Sequence, residues 1–123
     1  MVLDWGCGRG ADADYIMRDI CYCDRYDPHY QPDLPTHKFD TVLCTYVLCT
    51  IPEYHDRAGI IEQAWEYLAP GGWMYVTVRA DKSNLQGWTC RKTWQGYVGD
   101  EMERGGFTLI HKTSGYEIWG VKK

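Results

Sequence analysis

Three glycines at alternate positions, Gly6, Gly8 and Gly10, follow a short apolar run and the acid Asp4 in the stretch "MVLDWGCGRG". Glycine admits φ > 0 and lets a ligand approach backbone where a Cβ would otherwise stand. A glycine-rich turn leading from a strand into a helix is a common cradle for a nucleotide-like group. The spacing here is G-x-G-x-G, not the G-x-G-x-x-G of dinucleotide binding. A second acid, Asp27, closes the next strand-like stretch. It lies about 20 residues beyond the turn, the separation at which a carboxylate meets ribose hydroxyls. Hydrogen bonds from both hydroxyls to one carboxylate are charge-assisted and strong. A third strand end, "CTYV", follows the apolar run "FDTVL".

Other reactive side chains are less well placed. None of the four histidines, His29, His37, His55 and His111, has a helix-spaced partner for a metal. Each reads as a surface or loop residue, with His29 and His55 the better candidates for a base by location. Arg79, Lys82, Arg91 and Lys92 form either a basic rim at the strand ends or solvated loop charge. Trp88, Trp94 and Tyr97 either stack on a flat substrate or cover a small core. The residues alone leave both pairs of readings open.

Positioning these groups requires alternating strands and helices. "ADADYIMRDI" (Ala11 to Ile20) predicts a short helix with Asp12 and Asp14 at its positive start. "CYCDRYD" predicts a second strand ending at Asp27, and the three prolines of "PHYQPDLPTHK" exclude a regular element. Phe39 to Leu48 predicts a buried strand, and Glu53 to Ala69 an amphipathic helix carrying Ile60, Ile61, Ala64, Trp65 and Leu68 on one face. Pro70, Gly71 and Gly72 should stop that helix before a strand from Trp73 to Arg79. After a loop rich in Gly, Asn and Trp come a short helix, "YVGDEMERGG", and a terminal β-hairpin, "FTLIHKTSGYEIWGVKK". The expected fold class is α/β, a mostly parallel sheet with helices on both faces and an antiparallel hairpin at its end.

At 123 residues the chain reads as a single domain, 1–123, with one core. The net charge of −4 argues against tight nonspecific binding to phosphate backbones, which needs a basic face. Aromatic residues reach 15%, enough to supply both core and pocket walls. Of the six cysteines, Cys7 lies in the glycine turn, Cys21 and Cys23 in a C-x-C pair, and Cys44 and Cys49 in an apolar run, a placement that suits reduced thiols in a cytoplasmic setting. No apolar stretch approaches the roughly 20 residues that span a bilayer, so no membrane association is expected.

"VLDWGCGRG", Asp27, "FDTVLCTYVL" and "YLAPGGWMYVTV", in this order, resemble class I S-adenosylmethionine-dependent methyltransferases. "YDPHYQP", "YVLCTI" followed by "DR", and "TCRKTWQGY" are also similar to a bacterial family of methyltransferases associated with DNA phosphorothioation. The resemblance implies a Rossmann-like sheet with a reversed terminal strand and S-adenosylmethionine as cofactor. It assigns Gly6, Cys7 and Gly8 to the methionine end of that cofactor, with Asp4 in a mixed structural and cofactor role. Gly10 then permits close packing at the helix start, and Asp27 takes the ribose with Pro28 and His29 beside the adenine. Cys44, Thr45 and Tyr46 would pass near the cofactor.

Two departures from the family pattern are expected to matter. The usual helix ahead of the first strand is not represented, and the proline-rich stretch from Pro28 to Lys38 stands where a helix and strand usually do. These gaps lead to the expectation of a homodimer that covers an exposed sheet edge or the cofactor cleft. No (D/N)-P-P-(Y/F) motif of amino-methylating nucleic-acid enzymes and no Pro-Cys nucleophile occurs. The acceptor, a small molecule or a nucleic acid, is therefore left open. The rival readings are a cofactor-binding module or subunit without transferase activity and, disfavoured by the glycine spacing, a nicotinamide-dependent oxidoreductase.

Overall fold

A computed structural model describes residues 1–81, 86–88 and 94–123. Its elements, in chain order, begin with β1 (Val2–Trp5), α1 (Ala11–Asp19), β2 (Cys23–Tyr26) and β3 (Phe39–Thr45). Then come α2 (Tyr54–Glu66), β4 (Leu68–Arg79), β5 (Gln86–Trp88), β6 (Trp94–Gly96), α3 (Gly99–Arg104), β7 (Thr108–Lys112) and β8 (Tyr116–Lys122). A six-stranded sheet runs in the order β2-β1-β3-β4-β8-β7, and β5 pairs with β6 in a separate ribbon. β2, β1, β3 and β4 are parallel, whereas β8 is antiparallel to both β4 and β7. This is a Rossmann-like arrangement whose reversed strand is β8.

Side-chain alternation divides the sheet into two unlike faces. Leu3, Val42 and Met74 stand in register on one face, as do Cys44, Val76 and Trp119. All six join the buried apolar cluster with Ala64 of α2 and Met102 of α3. Asp4, Leu43 and Tyr75 share the other face. Right-handed crossovers put α1 and α2 on opposite faces, because β1 leads to β2 in one direction and β3 leads to β4 in the other. No helix of the described residues is long and apolar enough to cross a membrane.

Three local expectations are corrected. The third strand ends at Thr45, not Leu48: Tyr46 turns into the left-handed region at φ 56° and a 3₁₀ turn, Leu48–Thr50, comes next. That turn drops Leu48 and Cys49 into the core, which a continuing strand could not do. The helix α2 ends at Glu66, and Leu68 belongs to β4. Pro70-Gly71-Gly72 is thus a bulge inside β4 rather than a loop, since Phe39 pairs with Leu68 and Thr41 with Trp73. Gly71 has φ 83°, and a Cβ on Gly72 would stand 2.5 Å from the carbonyl oxygen of Asp40. The bulge backbone is satisfied by Lys123, whose carbonyl accepts from Gly71 N and whose N–H donates to Gly72 O, both at 2.9 Å. Finally, the expected loop after β4 contains β5 and β6. Between β2 and β3 the proline-rich segment forms no strand or helix, only an isolated bridge between Asp27 and Gln31.

Candidate functional site

The strand order changes direction at β1, with β2 on one side and β3 on the other. In an open parallel sheet the crevice outside the carboxyl ends of the strands at such a point is where ligands bind. The glycine turn occupies this crevice. Gly6, Gly8 and Gly10 adopt φ of 83°, 58° and 92°, and Gly6 N and Cys7 N both donate to Tyr26 O at 2.8 and 3.0 Å. The three glycines serve three different purposes. A Cβ on Gly6 would lie 2.5 Å from Val47 Cγ2, and one on Gly10 would lie 2.6 Å from Arg25 Nη1 and 2.8 Å from Gln31 Nε2. Around Gly8 nothing lies within 4 Å of that position, so its backbone alone borders open space.

Asp27 ties the turn to β2. Its Oδ2 accepts from Gly8 N at 2.9 Å, and its Oδ1 accepts from His29 N at 2.8 Å and Tyr30 N at 3.0 Å. A carboxylate offers about four lone-pair positions, so these three bonds leave room for one more donor. Asp4 lies beneath the same turn, only 3% exposed. Burial, reinforced by the charge of Asp12, pushes its pKa up to about 6; Arg25 opposes this and Asp27 adds to it. A cavity of about 380 Å³ opens beside the turn, with Gly6, Asp27 and Pro28 on one wall and Tyr46, Val47 and Thr50 on another. Trp5 and Tyr26, stacked with ring centroids 4.2 Å apart, also line it.

A parallel sheet with its switch-point crevice, a left-handed glycine turn and an acid ending the second strand form one connected unit. A family profile described as a methyltransferase domain matches residues 1–118, a span that contains all three. The chain belongs to this methyltransferase-domain family. No curated protein matches it by sequence. Among solved structures it is similar to the 1,6-didemethyltoxoflavin-N1-methyltransferase of Burkholderia thailandensis, bound to 1,6-didemethyltoxoflavin and S-adenosylhomocysteine. That likeness has 19% identity and a TM-score of 0.70, covering 99% of this chain and 70% of the other. It is also similar to magnesium protoporphyrin IX methyltransferase from Synechocystis PCC 6803 with bound S-adenosylmethionine, at 15% identity and a TM-score of 0.62 over 100% and 69% of the two chains. The N-methyltransferase NodS from Bradyrhizobium japonicum WM9, in complex with S-adenosylhomocysteine, gives 14% identity and a TM-score of 0.62 over 99% and 76%. Identities this low carry the fold alone.

In the methyltransferase domain the remaining sequence-selected residues divide by where their side chains go. Cys44 is 1% exposed within the apolar cluster, where burial pushes its thiol up to about 12. Thr45 ends β3 beside Thr77, half-buried. Cys7 is half-buried with Sγ donating to Gly8 O at 3.4 Å, and burial followed by the charges of Asp4 and Asp27 raises it to about 11. Neither thiol is suited to act as a thiolate near neutral pH. His29 is exposed, and its ring meets Tyr30 edge-on at 4.6 Å rather than lining the cavity. Trp94 is buried in the core and Tyr97 donates its hydroxyl to Glu117 Oε1 at 2.9 Å, so both serve the core reading. Arg79 pairs with Asp81 at 2.5 Å. Lys82, Arg91, Lys92 and the side chain of Trp88 lie outside the described residues.

Sequence reasoning missed Trp5, Tyr26, Val47, Thr50, Ile51, Ile60 and Gln63 as cavity walls. Trp5 and Tyr26 had a signal, since each is the aromatic last residue of a strand whose carboxyl end faces the crevice. Arg57, in the "DR" that follows "YVLCTI", had no role assigned from the sequence. It is 7% exposed, makes a forked pair with Glu101 of α3, and donates Nη1 to Ile51 O and Pro52 O at 2.6 and 3.0 Å. It thereby fixes the loop that presents Ile51 to the cavity. Among the described residues a further cavity of about 750 Å³, between Arg9, Arg25, Tyr30 and Asp33, lies along the edge strand β2.

Proposed function

We propose that this domain is an S-adenosylmethionine-dependent methyltransferase acting on an acceptor held at the carboxyl ends of β3 and β4. The observation that carries the reading is the coupling of the glycine turn to Asp27 at the topological switch point, beside a cavity of about 380 Å³. The residues fit the cofactor: Gly8 presents backbone to open space, Asp27 retains acceptor capacity for a ribose hydroxyl, and Trp5, Tyr26 and Pro28 offer flat apolar surface to a base. When bound, S-adenosylmethionine supplies a sulfonium-activated methyl group, whose in-line transfer demands alignment and exclusion of water more than a strong base. The chain's part is to hold donor and acceptor apart from solvent, with Asp4 placing negative charge under the turn. Membership among the methyltransferases associated with DNA phosphorothioation belongs to the same proposal and rests on the motifs "YDPHYQP", "YVLCTI" and "TCRKTWQGY".

One observation favours the second reading, a binding module without transferase activity: residues 27–38 contribute neither helix nor strand to the cofactor face. Calorimetry with S-adenosylmethionine, S-adenosylhomocysteine and NAD tests the donor assignment, with binding expected for the first two. Transfer of a labelled methyl group to panels of small molecules, proteins and nucleic acids separates enzyme from module.

A further inference from the structure

Arg57, in the first turn of α2, is the one cation buried among the described residues. Burying a guanidinium is costly, and a buried ion pair adds little net stability over apolar residues of the same volume. What such a pair can do is fix one arrangement of the chain. Arg57 has acceptors for four of its five N–H groups. Nε and Nη2 fork onto the two oxygens of Glu101 in α3, and Nη1 donates to the carbonyls of Ile51 and Pro52 at 2.6 and 3.0 Å. The guanidinium carbon also stands 5.6 Å from the ring centroid of Trp94 in β6.

The two carbonyls belong to the segment 51–53, which lies between the 3₁₀ turn and α2 and is neither strand nor helix. Ile51 N donates to Leu48 O at 3.2 Å, Pro52 has no N–H to give, and the start of α2 carries no side-chain cap. Arg57 thus supplies from a side chain the pairing that a backbone ladder supplies elsewhere. Ile51 lines the 380 Å³ cavity together with Ile60 and Gln63 of the same helix as Arg57. None of the described residues lining that cavity comes from α3 or β6.

We infer that Arg57 is a positioning residue for cofactor binding. It holds Ile51 at the cavity wall while Glu101 and Trp94 fix its own orientation, and so ties cofactor affinity to elements that do not line the cavity. The inference rests on the proposed binding of S-adenosylmethionine there. An apolar wall acts by close contact, and a gap of about 0.5–1 Å already forfeits a quarter to a half of the contact attraction.

Calorimetry with S-adenosylhomocysteine on Arg57→Ala, Ile51→Ala and the double variant, each shown folded by circular dichroism, tests the link. Phe39→Leu serves as the control for stability, since Phe39 is buried at the amino end of β3, away from the carboxyl-end crevice. Each single variant at the wall should weaken binding about fivefold, and the double variant also about fivefold, because both changes release the same contact. Phe39→Leu should stay within about twofold of the parent. Arg57→Lys, which keeps the charge and loses the fork, takes the place of Arg57→Ala in the cycle if the alanine variant does not fold. Unchanged affinity in the Arg57 variant, or losses that multiply in the double variant, overturns the positioning role. An equal loss in Phe39→Leu overturns it too, since affinity would then simply follow stability. A parent that binds no S-adenosylhomocysteine overturns the donor reading and this inference with it, an outcome distinct from a parent and Arg57 variants that bind equally well.

Discussion

The backbone N–H of Gly8 donates to Oδ2 of Asp27 at 2.9 Å, across 19 residues of chain. The acid that would meet a ribose is therefore also the clamp that shapes the turn. Replacing Asp27 with Ala should weaken S-adenosylhomocysteine by tenfold or more, since a charged hydrogen-bond partner contributes about 1.5–3 kcal/mol. It should also lower stability, because Gly8, His29 and Tyr30 lose their acceptor. Asp27→Asn retains an acceptor oxygen and should fall between the two. Calorimetry and thermal melts on the same samples check this, and a folded Asp27→Ala of unchanged affinity would remove the ribose assignment.

Gly8→Val tests the cradle. At φ 58° a β-branched residue is strained by roughly 1–2 kcal/mol, and its side chain would project into the open space beside the turn. Binding should be lost while most of the stability remains. A folded variant that binds S-adenosylhomocysteine normally would defeat the model.

Asp4 predicts a pH dependence with a definite sign. Its pKa is raised from 3.8 to about 6, so the folded chain holds this proton more tightly than the unfolded chain. The contribution of this group to stability is full below about pH 4 and is lost as pH rises through 6. A shift of this size amounts to about 3 kcal/mol by pH 7. Asp4→Asn should accordingly be more stable than the parent at pH 7 and equal to it near pH 4, by chemical denaturation. A cationic sulfonium favours the ionised acid, so the parent's affinity for S-adenosylmethionine should rise between pH 5 and 7 and that of Asp4→Asn should stay flat. Identical pH profiles for the two proteins would show that Asp4 is not the group responsible.

Arg57→Ala strips a nearly buried cation from Glu101 and from the carbonyls of Ile51 and Pro52. The loss should be about 3 kcal/mol, as for other buried pairs deprived of one partner. Arg57→Lys keeps the charge without the fork and should recover only part of it. Urea denaturation measures both, and a loss below about 1 kcal/mol for the alanine variant would mean the pair is not stabilising.

The face opposite α2 bears on assembly. Trp73 and Ile110 are exposed there, Ile110 lies against Gly120 beside Tyr75, and the edge strand β7 is exposed along its whole length. Apolar area of this kind beside an open edge favours pairing with a second copy. Light scattering at micromolar concentration should give a dimeric mass for the parent and a monomeric mass for Ile110→Lys. A monomeric parent would end the dimer expectation.

The sequence by itself determined the alternation of strands and helices, the hairpin, the glycine turn and the acid beyond it. Each of these is written in local pattern, such as apolar periodicity, glycine spacing and the distance from turn to acid. Tertiary structure decided the rest. That Gly6 makes room for Val47, that Pro70-Gly71-Gly72 stays inside β4, and that Arg57 reaches Glu101 all depend on residues far apart in the chain. Cys44 and Tyr46 show the division most plainly. Two positions apart at one strand end, one turns into the core and the other onto the wall of the 380 Å³ cavity. The corner at Tyr46 comes from packing on both sides of it, and a propensity read along the chain does not contain that packing.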